Sequence, residues 1–180
     1  MPFFWYFLIY SLLGYGLEKV FAKATHAKKQ NRKGFLLLPL CPVYGLGMAA
    51  VLSLPEELIR SPYHLFFWGT LTATAVEYAV HWFYDTVFGV CFWDYSGTFG
   101  TIRGRVCVPF SLIWGVLTTV AVVFLQPFIQ IVAFRIPDWA TYGALLLLTA
   151  DLVFSARLLS LYHDTEMLNV HRLYSVSRQL

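Results

Sequence analysis

Apolar residues form long, nearly uncharged stretches along the chain, without the apolar and polar alternation of a half-buried strand. A helix needs roughly 20 apolar residues to cross the hydrocarbon core of a bilayer, and stretches of about that length recur five times. The predicted transmembrane helices cover about residues 3–21, 35–54, 63–87, 107–133 and 139–160. Backbone groups in lipid must pair with one another, and these unbroken runs favour helices over the short alternating strands of a barrel. The predicted fold class is therefore all-α, a polytopic membrane bundle of about five transmembrane helices.

The five predicted helices form one transmembrane domain, residues 1–161, followed by a C-terminal tail, residues 162–180. The first stretch has no basic segment before it and runs into Glu18 and Lys19 without a small-residue cleavage site. We therefore interpret it as a retained span and not as a secretory signal peptide.

Composition and charge agree with a membrane protein. Of the 180 residues, 58% are hydrophobic and 13% are charged, and the mean hydropathy is +0.62. Five spans place eleven of the thirteen basic residues on one side and leave Arg60 and Arg135 on the other. By the positive-inside rule we expect a multi-pass protein of the cell membrane, with its N-terminus outside and its C-terminal tail in the cytoplasm. The net charge of +3 then reflects this bias and contact with membrane lipid, and gives no support to nucleic-acid binding.

One carboxylate, Glu77, stands inside the third apolar stretch, and His81 and Asp85 follow it at four-residue intervals. Residues four apart are near neighbours on an α-helix, so the spacing predicts one helical face that carries all three side chains. Ionisable groups within a membrane span are costly and usually face inward, which makes these residues candidates for a functional site.

Two prolines, Pro39 and Pro42, interrupt the second stretch. Each lacks an N–H group, and a proline inside a helix clashes with the carbonyl four residues back. One interpretation is a broken or re-entrant segment that lines a cavity. The other is an ordinary kinked helix in which Gly45 and Gly47 permit close packing.

The third loop carries Trp93, Asp94 and Tyr95 and ends with Arg103 and Arg105. Tryptophan and tyrosine suit the membrane interface. Asp94 can cap a turn or pair with an arginine, and the Arg105 guanidinium can hold a carboxylate or a phosphate. Aromatic anchoring and the positive-inside bias explain the same residues without a binding site.

Polar residues of the predicted helices fall in the cytoplasmic half, which predicts a wet cavity open toward the cytoplasm. Carboxylates and arginines brought together there would offset a burial cost of about 2.5–3.5 kcal/mol per charge. The alternative is a set of structural ion pairs, such as Glu18 or Glu77 with Arg105, that hold the helices in register. The predicted substrate-binding or ion-pair cluster comprises Glu18, Tyr44, Glu77, His81, Asp94, Arg103 and Arg105.

Cysteine usage indicates no further chemistry. Cys41, Cys91 and Cys107 map to the predicted cytoplasmic half, where thiols stay reduced, and their spacing matches no zinc or redox motif. We interpret them as packing residues, with a metal ligand or reactive thiol as the less favoured alternative. The sequence predicts no catalytic residue, no bound metal and no cofactor.

Several short motifs in a fixed order resemble a known family. These are Asn31, Arg32, Gly34, Phe35 and Leu36; Pro39, Cys41, Pro42, Tyr44 and Gly45; Glu77 and Tyr78; Trp93, Asp94, Tyr95 and Ser96; and Gly104, Arg105, Cys107, Ser111, Trp114 and Gly115. Over about residues 1–130 the chain resembles the putative ABC-transporter type IV, or CmpB-like, membrane protein family. The resemblance implies a small polytopic membrane protein with a permease role, and its motifs carry over best onto Glu77, Asp94 and Arg105.

The first function class is a permease-like transporter subunit in which Glu18, Glu77 and Arg105 line a substrate or proton path. The chain has no P-loop motif that would cradle phosphates, so an ATPase subunit must be a separate chain. Its predicted docking elements are residues 22–33 and 89–105.

The alternative class is a membrane-embedded lipid-binding protein or an enzyme acting on a lipid headgroup. In this hypothesis Arg103 and Arg105 hold a lipid phosphate, and His81 or Asp85 acts as a base. Catalysis ranks lower because the sequence contains no serine-nucleophile pattern and no arrangement of histidine and carboxylates that fixes a metal. A scaffold role needs only the structural ion pairs. Substrate and oligomeric state stay open.

Overall fold

The computed structural model describes residues 2–25 and 34–168, and helices dominate them. The α-helices are α1 (Pro2–Ala24), α2 (Pro42–Leu52), α3 (Glu56–Ile59), α4 (Pro62–Phe88), α5 (Val108–Val120), α6 (Gln126–Arg135) and α7 (Asp138–Tyr162). A π-helical turn, Ala121–Leu125, joins α5 to α6, and a 3-10 turn, Thr165–Leu168, follows α7. Within the described residues there is no strand, and the Ile102–Val106 bridge is isolated, so the all-α class is confirmed. Most of the predicted tail and of the first predicted docking element lies outside the described residues.

Proline, serine and glycine set the ends of the helices. Pro42 and Pro62 lie in the first turns of α2 and α4, where a missing N–H costs no helical hydrogen bond. Ser61 caps α4 by accepting a hydrogen bond of 3.3 Å from the His64 N–H. Gly89 ends the same helix with φ +65°, a left-handed conformation that glycine adopts without steric cost.

In the part of the chain that the structure describes, two helical segments have both the length and the hydropathy of membrane spans. Val108–Arg135, which contains α5, the π turn and α6, has 28 residues, and Asp138–Tyr162 has 25. In the most apolar 18 residues of each segment, only 22% and 17% respectively are buried, so most of these apolar side chains face outward. Helices α1 and α4, with 23 and 27 residues, are also long enough at about 1.5 Å per residue, but they do not reach the same hydropathy.

The predicted second span, residues 35–54, is not one continuous helix. Residues 34–41, here called the proline segment, are irregular, and α2 contains 11 residues, or about 16 Å at 1.5 Å per residue. Of the two interpretations of Pro39 and Pro42, the structure therefore follows the broken segment.

Neighbouring helices supply the hydrogen bonds that the proline segment cannot make as a helix. The Leu37 and Leu38 N–H groups donate to the Asp151 carboxylate of α7 at 3.1 and 3.0 Å. The Cys41 N–H donates to the Ser11 carbonyl of α1 at 2.9 Å. Irregular backbone is stable where its polar groups are paired inside protein. Helices α7 and α1 thus hold the proline segment from two sides.

Pro127 explains the π turn within the fourth predicted span, residues 107–133. Because Pro127 has no N–H, the regular helical bond at that position is missing. The Gln126 N–H instead reaches the Ala121 carbonyl, five residues back. The buried Gln126 side chain accepts a hydrogen bond of 3.0 Å from the Tyr10 hydroxyl of α1. This polar contact joins α1 to the middle of the long helix.

Small residues let the helices approach closely in pairs. Gly45 of α2 faces Ser11 of α1, and Gly69 of α4 faces Thr118 of α5. In both pairs a Cβ atom on the glycine would overlap the facing side chain. The C-terminal end of α1 and the N-terminal ends of α2 and α5 meet beside α4 around the candidate site.

Candidate binding cavity

A cavity of about 230 Å³ lies between α1, α2, α4, α5 and the loop that follows α4. Its side chains with polar atoms are Glu18, Cys41, Tyr44, Glu77, Trp93, Tyr95 and Trp114. The rest of the wall is mainly apolar and includes Phe21, Phe92 and Phe110. Three residues of the predicted cluster, Glu18, Tyr44 and Glu77, therefore meet in one cavity.

Glu77 is buried in the wall of this cavity, with 4% of its surface exposed. Its Oε1 atom accepts a hydrogen bond of 3.0 Å from the Tyr95 hydroxyl. Among the described residues its Oε2 atom makes no hydrogen bond of good geometry, although the Trp114 side chain lies close to the carboxyl group. Glu77 thus faces the protein interior and keeps acceptor capacity beside the cavity.

Tyr95 is the donor that holds Glu77. Burial and the neighbouring Glu77 carboxylate raise the pKa of Tyr95 above its ordinary value of 10.0, so its hydroxyl stays protonated and donates. The Tyr95 ring stacks on Phe110 with their centroids 4.8 Å apart. This contact fixes the ring and hence the position of the hydroxyl.

A second pair of carboxylate and tyrosine contributes to the same cavity. Glu18 Oε1 accepts a hydrogen bond of 2.9 Å from the Tyr44 hydroxyl. The Tyr44 ring lies against Trp114, with their centroids 4.7 Å apart. Gly14 of α1 makes room for this ring, because a Cβ atom there would overlap it. The described lining therefore contains two carboxylates and no lysine or arginine.

Arg105 does not line the cavity, and the structure does not form its predicted pair with Glu18 or Glu77. Its guanidinium donates to Asp85 at 2.9 Å and to the Tyr78 hydroxyl at 3.2 Å. The bond to Asp85 raises the pKa of Arg105 above its ordinary value. Tyr78 and Asp85 are seven residues apart, close to two helical turns, so one side chain reaches both.

The predicted single face of Glu77, His81 and Asp85 divides between two environments. Glu77 and His81 are buried, whereas 43% of the Asp85 side chain is exposed. Four residues on a helix with 3.6 residues per turn advance by about 40°, so two such steps turn Asp85 about 80° away from Glu77. This drift brings Asp85 to the surface, where it meets Arg105.

His81 holds the loop instead of lining the cavity. Its Nε2 atom lies 3.0 Å from the Trp93 carbonyl, and the Trp93 indole N–H donates to the Arg105 carbonyl at 3.0 Å. Since a carbonyl only accepts, this contact assigns the N–H of the His81 ring to Nε2. The two bonds position Trp93 in the cavity wall.

Asp94 and Arg103 also lie away from the cavity lining. Asp94 Oδ1 accepts bonds from the N–H and the hydroxyl of Ser96 at 2.9 and 2.5 Å, so the turn-capping interpretation is confirmed. These bonds lower the pKa of Asp94 below its ordinary value of 3.8. Arg103 is exposed at the tip of the turn of residues 102–105, where it and Gly104 have positive φ values of +53° and +70°.

Sequence reasoning misses the roles of three side chains. It assigns Tyr95 to the membrane interface, and it gives no specific role to Trp114 or Asp151. In the structure Tyr95 donates a hydrogen bond to Glu77, Trp114 lines the cavity, and Asp151 accepts hydrogen bonds from the proline segment. The available signal is a polar or aromatic side chain in or beside an apolar stretch, and its partner is visible only once the helices are packed.

Over the described residues, the fold and the cavity define a helical protein in which two helices have both the length and the hydropathy of membrane spans, with an acidic, aromatic-walled cavity. The chain belongs to the putative ABC-transporter type IV family, whose profile matches residues 5–156. The resemblance carried by the sequence motifs is thereby confirmed, and it extends into α7. No significant match was found among curated proteins or among solved structures.

Proposed function

We propose that this protein is a membrane-embedded, permease-like subunit of a transporter, and that its cavity opens toward the cytoplasm and accepts the transported ligand. The main support is the position of Glu18 and Glu77, two carboxylates that share one cavity in a helical protein with two apolar, outward-facing long helices. Ionisable groups in such surroundings are costly, and a binding or transport role is the default explanation for them. Membership in a family related to ABC transporters supports the same role.

In this proposal five segments cross the cell membrane, with the N-terminus outside and the C-terminal tail in the cytoplasm. Four crossings are α1, α4, the Val108–Arg135 helix and α7. The proline segment and α2 together make the remaining one, since each irregular residue adds up to about 3.3 Å to the roughly 16 Å of α2. Leu36 and Leu40 are buried, and Asp151 accepts the Leu37 and Leu38 N–H groups, so the polar groups of this irregular backbone are paired with protein as a membrane crossing requires.

An ATPase that drives transport would be a separate chain. Of the two predicted docking elements, residues 89–105 form a loop that His81 and Arg105 attach to α4. The same loop supplies Trp93 and Tyr95 to the cavity wall. A partner docked on this loop would therefore act directly on the residues that surround the ligand.

A lipid-binding protein, or an enzyme acting on a lipid headgroup, is the second candidate. Arg103 favours it, because an exposed guanidinium at the tip of a turn fits a lipid phosphate. Arg105 and His81, however, are engaged by Asp85 and by the Trp93 carbonyl. The acidic cavity would also repel a phosphate, so the permease role has the stronger support.

Copurification followed by an ATPase assay tests the permease role. Full-length protein isolated from its native membrane in mild detergent should bring an ATPase with it. Glu77→Gln keeps the shape of the side chain, removes its charge and should lower ATP hydrolysis by the complex about tenfold or more. Glu57→Gln on the exposed surface of α3 is the matched control and should leave hydrolysis unchanged. Lipid turnover by the isolated chain, with no ATPase attached, would contradict the proposal.

A further inference from the structure

The cavity combines two carboxylates with aromatic walls, and its described lining contains no basic side chain. We propose that it binds a small organic cation, either a quaternary ammonium ion or a protonated amine. The proposal deepens the transport role by naming the chemical class of the cargo. The binding step itself needs no partner chain, so it can be tested separately.

Glu77 places negative charge where water is largely excluded. It is 4% exposed, Tyr95 holds its Oε1 atom, and its Oε2 atom has no well-formed hydrogen bond among the described residues. A buried carboxylate is expensive to keep without a counter-charge. A bound cation supplies that counter-charge. Glu18, held by Tyr44, adds a second negative group to the same cavity.

The aromatic rings suit an organic cation better than a hydrated metal ion. A cation within about 6 Å of a ring centroid is attracted to the negative face of the ring, and tryptophan is the best partner. The wall contains two aromatic pairs. The ring centroids are 4.7 Å apart in the pair of Tyr44 and Trp114, and 4.8 Å apart in the pair of Tyr95 and Phe110. Because both tyrosine hydroxyls already donate to carboxylates, these rings are in position before a ligand arrives.

Charge, ligand number and size disfavour other classes of ligand. An anion would meet two carboxylates and, among the described lining residues, no basic group. A calcium ion takes about six to eight oxygen ligands, and no group of three His, Cys, Asp or Glu side chains among the described residues is arranged to hold a metal. The volume of about 230 Å³ lies just below the roughly 300–1,000 Å³ of drug-sized pockets, which suits a small ligand.

Isothermal titration calorimetry on the full-length protein in detergent tests the proposal. The probes are choline and dimethylbutanol, which has nearly the same shape but carries a carbon atom in place of the ammonium nitrogen. We expect choline to bind about tenfold more tightly or better, because only choline gains the attraction of the carboxylates and of the ring faces. Both titrations are run at one ionic strength so that charge screening is equal.

Three variants locate the site, each used after gel filtration shows the profile of the parent protein. Glu77→Gln and Glu18→Gln keep side-chain shape and remove one charge each, and both should weaken choline binding about tenfold or more. Glu57→Gln, on the exposed surface of α3, should bind choline like the parent protein. If one of the first two variants does not fold, the other decides.

Equal affinity for choline and dimethylbutanol would overturn the proposal, and so would a failure to bind choline or unchanged binding in the folded Glu77→Gln and Glu18→Gln variants. Each of these results would still be compatible with the proposed transport role, with a ligand other than an organic cation. The converse is also distinct, because choline binding without any copurifying ATPase would support the cation site and remove the transport role.

Discussion

Tyr95 stabilises the buried Glu77 carboxylate directly, because its hydroxyl donates a hydrogen bond to that group. Tyr95→Phe keeps the ring that stacks on Phe110 and deletes only the hydroxyl. The buried carboxylate then loses its donor, so the free energy of unfolding should fall by about 1–3 kcal/mol. Melts of the purified protein in detergent measure the change.

Tyr63→Phe is the matched control, because Tyr63 is 87% exposed and its hydroxyl can bond to solvent instead. It should change the free energy of unfolding by about 0.5 kcal/mol or less. Equal losses in the two variants would mean that the bond between Tyr95 and Glu77 contributes nothing particular to the fold.

Burial of Glu77 could be predicted from the sequence, whereas its partner could not. A lone carboxylate in an apolar stretch must turn inward, and that inference needs only its neighbours along the chain. The choice between Tyr95 and Arg105 as partner depends on how α4 is rotated against the loop, which local sequence does not determine. Arg105 instead pairs with Asp85, because four-residue spacing drifts around the helix and carries Asp85 to the surface.

Asp151 decides the conformation of the proline segment, because its two carboxylate oxygens accept the Leu37 and Leu38 N–H groups. Hydrogen bonds to a charged group contribute about 1.5–3 kcal/mol each, so Asp151→Ala should lower the free energy of unfolding by about 3 kcal/mol or more. Melts in detergent measure the loss. Hydrogen exchange should also become faster at the amides of Leu37 and Leu38.

Asp138→Ala is the control within the same helix. Asp138 is exposed in the first turn of α7, where a carboxylate contributes about 0.3–1 kcal/mol through the helix dipole. Its replacement should leave exchange at Leu37 and Leu38 unchanged. Unaltered exchange in Asp151→Ala as well would show that the proline segment holds its conformation without α7.

The four long helices could be predicted closely from local signals, whereas the contacts that hold the broken segment could not. Expected bounds of 63–87 and 139–160 compare with Pro62–Phe88 and Asp138–Tyr162, because apolar runs end at proline, glycine and charged residues. The prolines at 39 and 42 indicate a break, but the acceptors of the Leu37 and Leu38 N–H groups lie more than a hundred residues away in sequence, at Asp151. Such a contact belongs to the packed molecule.

The molecule combines outward-facing apolar side chains on two long helices with two carboxylates in a cavity between helices. Most of the apolar residues of Val108–Arg135 and α7 face outward, whereas Glu18 and Glu77 line the cavity between α1, α2, α4 and α5. Water-soluble proteins keep charged residues at the surface. Apolar side chains that face outward and carboxylates that line a cavity suit a protein surrounded by lipid. For such a protein, the number of membrane crossings can be measured.

Cysteine accessibility labelling measures that number. With the exposed Cys91 replaced by serine, Thr25→Cys and Glu57→Cys place one thiol before and one after the proline segment and α2. If this part of the chain crosses the membrane, a reagent applied from outside labels Glu57→Cys, and Thr25→Cys reacts only after permeabilisation. Gly97→Cys, in the loop after α4 and with open space for a side chain, should behave like Thr25→Cys.

The shared cavity is the reason to expect this result. Glu18 near the end of α1 and Trp93 just after α4 line the same cavity of about 230 Å³, so they cannot stand on opposite faces of a hydrocarbon core about 30 Å thick. If α1 and α4 each cross, both then end on the same side, and the chain between them must cross once more. Labelling of Thr25→Cys and Glu57→Cys from the same face would contradict the five-span topology. In that case α4 would place Trp93 on the face opposite Thr25. The basic residues of the two loops would then lie on opposite sides of the membrane, against the positive-inside rule.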